Sequence, residues 1–114
     1  MENVKRLIEA FAECGEAAAI YKNQNFIFAN ALFAEIFERE PAEFEGLPVL
    51  DVCHNESIEM IRDFMQRRAI EDHGVPINYT SAFITSGREK IMLNVIAIRL
   101  KRADDNILLI IKKV

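Results

Sequence analysis

Apolar and polar positions change period several times along the chain, and each change marks an element. In residues 2–14, Val4, Leu7, Ile8 and Phe11 fall on one stripe with Glu2, Lys5, Arg6, Glu9 and Glu13 around the rest, which predicts an amphipathic helix. Gly15 is a suitable stop, because it adopts the left-handed backbone past a helix end without strain. Two short apolar runs, 17–22 and 26–29, flank the polar loop Lys22-Asn23-Gln24-Asn25 and predict a hairpin. At Asn30 the period switches from about 2 to about 3.6, with Leu32, Phe33, Ile36 and Phe37 at helical spacing. A strand therefore feeds directly into a helix over 30–37, and the short amide of Asn30 suits its N-cap. Pro41 opens a short helix through Phe44, ended by Gly46, and 47–53 connects with one helical turn. Asn55 is placed to cap a longer helix over 56–72, with Ile58, Ile61, Phe64, Met65 and Ala69 on one face and His73-Gly74 closing it. Residues 76–85, 89–99 and 107–112 read as strands, joined by turns at Ser86-Gly87-Arg88 and at 103–106. The product is an α+β fold: a five-stranded antiparallel sheet, helices on one face, and the leading helix (1–15) on or near the other face of a 16–114 domain.

The late strands are apolar on both sides. Residues 91–98 read IMLNVIAI and 107–111 read ILLII, whereas a half-solvated antiparallel strand alternates. Both faces of the sheet therefore need cover. The domain's helices supply one; the leading helix, a second subunit, or both supply the other. A helix of about 13 residues is only about 20 Å long and does not span five strands. This predicts a homodimer built on Val4, Leu7, Ile8, Phe11 and the outer sheet face. Asn94 is the one polar residue in the first run. Counting from the Gly87 turn places it inward, and a slip of one residue places it outward.

The order of motifs resembles a PAS domain. Phe26, Phe28, Asn30, Ala31, Phe33 and Phe37 match that family's aromatic strand ending in Asn and the helix after it. Glu43-Phe44-Glu45-Gly46 resembles its acidic-x-x-Gly turn, Leu50-Asp51-Val52-Cys53-His54 its Leu-to-His segment, Gly74 to Tyr79 the start of its third strand, and Thr85-Ser86-Gly87-Arg88 its next hairpin. The resemblance implies sheet order 2-1-5-4-3. It also implies a sensory input module, relaying ligand binding or dimer packing to an effector such as a histidine kinase. A small ligand would lie between the long helix and the inner sheet face, with Phe28, Phe33, Phe37, Ile61, Phe64, Met65, Tyr79, Met92, Asn94 and Ile96 as candidate walls. The other reading of the same residues is plain core, in a ligand-free interaction module. A cavity of roughly 300 Å³ or more separates the two.

Composition narrows the chemistry. The 114 residues are 51% apolar with net charge −4, and the basic residues are scattered, so nucleic-acid binding is not expected. No apolar run approaches the roughly 20 residues of a membrane helix, and there is no leader-like start. The expectation is a cytoplasmic chain, acting alone or as the cytoplasmic piece of a longer protein, without membrane contact. His54 and His73 lie at opposite ends of one helix, about 25 Å apart, and form no joint site. Neither a triad nor a phosphate loop is present in the pattern, and no enzyme is read. Cys14 and Cys53 read as buried reduced thiols. Two departures from the resemblance disfavour flavin and haem: Val49 stands where light-sensing members carry a reactive cysteine, and the long helix has no internal His. No visible absorption band near ~400 or ~450 nm is therefore expected from the purified protein; such a band would show a chromophore.

Overall fold

A computed structural model describes residues 2–70, 75–100 and 106–114. In chain order the elements are α1 (Glu2–Glu13), β1 (Ala17–Lys22), β2 (Asn25–Ala29), α2 (Ala31–Ile36), α3 (Ile58–Ile70), β3 (Asn78–Ile84), β4 (Lys90–Arg99) and β5 (Ile107–Lys113), with 3₁₀ turns at Pro41–Phe44, Val49–Val52 and Asn55–Ser57. The sheet runs β2-β1-β5-β4-β3, all neighbours antiparallel, as the motif order implies. The expected close of the long helix at Asp72, His73 and Gly74, and most of the turn at 103–106, lie outside the described residues. One cap differs from expectation. The side chain that accepts from the helix-entry backbone is His54, whose Nδ1 takes the Glu56 N–H at 3.2 Å, so the imidazole holds the entry in place of Asn55.

Asn30 does more than cap. Its Oδ1 accepts from the Phe33 N–H (2.9 Å) and from the Ala18 N–H (3.2 Å). Its Nδ2 donates to the Ile8 carbonyl (2.7 Å) and the Glu16 carbonyl (3.0 Å). One amide, 4% exposed, thus joins the start of α2, the start of β1 and the body of α1. All three backbones approach one point, and only a short side chain carrying both donors and acceptors satisfies them together.

The two sheet faces form separate cores. Ala17, Ala19, Tyr21, Phe26, Leu93, Val95, Ala97, Ile107, Leu109 and Ile111 face the helical side. Ala18, Ile20 and Leu108 face outward and pack under Ile8, with Val4, Phe11, Phe28 and Ile110 at the margins. The leading helix therefore covers the β1 and β5 part of the outer face. It leaves β4 open, where Met92 and Ile98 are 40% and 41% exposed, and Leu7 on α1 itself is 36% exposed.

Two local features reset the facing of residues along the strands. In the first hairpin Tyr21 pairs with Phe26 but Ile20 with Phe28, so Ile27 is an extra residue. That bulge turns Phe28 to the outer face. In the second, Ile84 pairs with Lys90 across a turn whose left-handed residue is Arg88 (φ 71°), not Gly87. Counting from the glycine is one residue out. Leu93, Val95 and Ala97 point inward, while Ile96 pairs with the outward Ile110 and puts Met92, Asn94 and Ile96 on the outer face.

Asn30→Ala leaves buried N–H and C=O groups of three elements without partners. The expected loss is about 3 kcal/mol of unfolding free energy, well above the ~1 kcal/mol of a simple cap, read by chemical denaturation. A loss within the simple-cap range would show that α1 and β1 do not depend on this amide.

Candidate functional site

The space between α3 and the inner sheet face is filled by aromatic rings. Phe26, Phe33 and Phe44 meet edge to face with ring centroids 5.1–5.7 Å apart. Phe37 joins them at 5.2 Å from Phe33 and 5.9 Å from Phe44, and reaches Phe83 at 6.0 Å. Apart from the tilted Phe33–Phe37 pair, these are T-shaped contacts that set the positive ring edge against the negative face. A cavity of about 20 Å³ remains, room for about one water. Phe64 and Tyr79 close its side at 5.0 Å from each other.

Of the ten candidate walls, Phe33, Phe37, Ile61, Phe64, Met65 and Tyr79 converge on this cavity. Phe28, Met92, Asn94 and Ile96 do not; the bulge at Ile27 and the Arg88 turn place them on the opposite face. The Asn94 amide, half-buried there, donates to the Tyr79 carbonyl at 3.4 Å, so the adjacent strand supplies its partner. Residues that periodicity missed include Tyr21, Phe26, Val49 and Phe83. Val49 arrives through a 3₁₀ turn, whose period matches neither the helix nor the strand template. Tyr21 and Phe26 belong to the first hairpin, and only the register shows that both point inward.

The thiols separate. Cys53 is buried and its Sγ donates to the Val49 carbonyl at 3.5 Å; burial pushes its pKa up to about 12. Cys14 is exposed, contrary to the expectation of two buried thiols, because it sits past the end of α1 at Glu13, in the turn at Gly15 that leads into β1. Burial likewise raises the Tyr79 phenol above its ordinary range. His54 serves the backbone, and His73 lies outside the described residues. Among the described residues no cluster of His, Cys, Asp or Glu has the makings of a metal site, and no helix is long and apolar enough to cross a membrane.

At one end of the core a second space of about 260 Å³ opens between the β1–β2 turn, the last turns of α3 and the far ends of β4 and β5. Arg68, 5% exposed, forms its inner wall and also borders the small interior cavity. Its guanidinium donates to the Tyr21 hydroxyl (3.3 Å) and the Pro76 carbonyl (3.1 Å), and Arg99 donates to the Arg68 carbonyl.

Solved structures share this fold. A Rhodobacter sphaeroides LOV protein superposes with TM-score 0.78 at 14% identity, over 100% of this chain and 68% of that one. The PAS domain of a Colwellia psychrerythraea protein gives 0.77 at 14%, over 97% and 96%. The PAS domain of a LuxR-family transcriptional regulator from Burkholderia thailandensis, solved in complex with ethanol, gives 0.69 at 17%, over 93% and 95%. The fold is that of a PAS domain. No family model matches the sequence, and no curated protein does either. The PAS frame puts the ring cluster between its long helix and its sheet, and the described PAS-like motifs fall on the elements they were assigned to, from Asn30 at the head of α2 to the Pro41–Phe44 turn.

Two measurements check this packing. At pH 8 a thiol reagent should modify one cysteine per folded chain and both after denaturation, since Cys53 is buried with its pKa pushed up to about 12, while Cys14 is exposed. Phe33→Ala should cost about 3–5 kcal/mol and create a dry apolar cavity, so benzene should raise the melting temperature of the variant and not of the native protein. Benzene stabilisation of the native protein would show that the core already holds a ligand-sized void.

Proposed function

We propose that this chain is a sensory-type signal-relay module that works through packing against a second copy of itself, with a filled core in place of a resident interior ligand. The observation that carries this reading is the ~20 Å³ left by the phenylalanine cluster, against the roughly 300 Å³ at the low end of small-molecule pockets. Val49 lines that remnant at the position where light-sensing relatives would carry a reactive cysteine, which argues against flavin photochemistry; the His-free α3 argues against axially ligated haem. The second copy is favoured by the outer face. Met92, Ile96 and Ile98 form an apolar strip along the outer face of β4, and Leu7 is a further exposed apolar side chain on α1. A two-fold contact there sets strip against strip and pairs the two leading helices. Among similar structures is a PAS domain from a two-component sensor histidine kinase, which supports an effector of that type. Rotation of paired helices is the output such an effector would read.

Native mass spectrometry reports bound mass and oligomeric state together; a dimer of unmodified chains is expected. Leu7→Glu with Ile98→Glu should convert it to a monomer in sedimentation without loss of secondary structure. A monomeric native protein at tens of micromolar, or a double variant that stays dimeric, rejects this interface; a small molecule retained in the core rejects the filled-core reading.

A further inference from the structure

The outward side of β4 carries one polar residue among apolar ones. Between Lys90 and Arg99 the outward positions are Met92, Asn94, Ile96 and Ile98. The ladders put Thr80 of β3 on one side of Asn94 and Lys112 of β5 on the other. Asn94 therefore lies near the centre of the face that α1 leaves open. Its amide is poorly used within one chain. The Nδ2 group donates to the Tyr79 carbonyl at 3.4 Å, longer than the usual range for such a bond. Among the described residues nothing donates to its Oδ1. Water satisfies the amide while the strip is open.

Covering the strip changes that. A wholly apolar occupant strands a carboxamide and leaves its desolvation uncompensated. The occupant must bring a donor and an acceptor to this one point. A second copy of the chain does so with no further requirement, because a carboxamide carries both. In a two-fold contact the residues on the axis meet themselves. The axis that overlaps the open face most fully with itself passes through the centre of that face, where Asn94 stands. We propose that the strip docks a second copy with the two Asn94 amides paired across the axis, each Nδ2 donating to the other Oδ1, and that this pair fixes the register of the contact. The inference rests on the self-association proposed above and adds where its axis lies. Met92, Ile96 and Ile98 supply apolar contact, which is non-directional and tolerates sliding. A single polar pair in an apolar seam specifies alignment while adding little affinity.

Disulfide trapping of the full chain tests the assignment. A Cys14→Ser background removes the exposed thiol and keeps the buried Cys53. In it, Asn94→Cys puts a thiol on the axis. Asn78→Cys puts one at an exposed position that pairs with Ile96, one strand away and two residues along. A disulfide forms only where the two Cα atoms come within about 7 Å. Under mild oxidation Asn94→Cys should give a covalent dimer at least tenfold faster than Asn78→Cys. Asn94→Leu should dimerise as tightly as the native chain or more tightly, and in that background the Asn78→Cys rate should rise several-fold as the register loosens. Sedimentation of the native chain keeps the two claims apart. A native monomer removes the second copy and with it both claims. A native dimer in which Asn94→Cys crosslinks no faster than Asn78→Cys overturns the axis alone and leaves self-association standing. An unchanged Asn78→Cys rate in the Asn94→Leu background overturns the register role.

Discussion

The structure depends on satisfying backbone groups at one crowded junction. Where α1 leaves, β1 begins and α2 begins, several N–H and C=O groups are turned toward the same dry point. Asn30 is only 4% exposed, and an unpaired group there costs much of the desolvation of a peptide. Asn30 resolves this with a single planar amide, accepting on one side and donating on the other. The rest of the fold follows from having that point closed. With α1 fixed, Ile8 is held against Ala18, Ile20 and Leu108, and the β1 and β5 part of the outer face is covered. With α2 fixed, Phe33 and Phe37 are aimed into the space under α3, where the ring cluster forms.

That ring cluster decides which kind of PAS architecture this is. A sheet curled under a long helix leaves space that side chains or a ligand must fill. Here Phe26, Phe33, Phe37, Phe44 and Phe83 come from two strands, one helix and a 3₁₀ turn, and they fill it from several directions at once. Removing water from so much aromatic surface stabilises the domain strongly and leaves a cavity of about 20 Å³. The polar, charged chemistry of the interior is displaced to its end, where Arg68 stands with its alkyl stem in the core and its guanidinium at the opening.

Element types and strand order were legible in the sequence because both rest on periodicity and motif order, which are properties of long stretches. The facing of individual residues was not. Phe28 alternates correctly with Phe26 by count, yet the extra residue at Ile27 sends it to the other side. Asn94 sits one residue away from the position a glycine-centred turn would give it, because Arg88 adopts the left-handed conformation instead of Gly87. Both errors come from a period of two, in which a single inserted residue inverts everything after it. A helix is more forgiving, since one step is only about a quarter turn, and Ile61, Phe64 and Met65 on α3 fell where the pattern placed them. The cleft at Arg68 was not visible at all: Asn23, Arg68 and Arg99 are far apart in the chain, and no local pattern relates them.

The amide that joins α1 to β1 also sets a mechanical path. A pull on the leading helix is taken up first at the Ile8 carbonyl and passed through one side chain to Ala18. Ala18 lies on a strand flanked by neighbours on both sides, not on an edge. Load therefore enters the sheet at an interior strand, whose hydrogen bonds on both sides resist sliding together. A tug that would peel an edge strand one bond at a time must here shear two ladders at once, so the helix transmits displacement to the sheet as a stiff coupling and not as a spring.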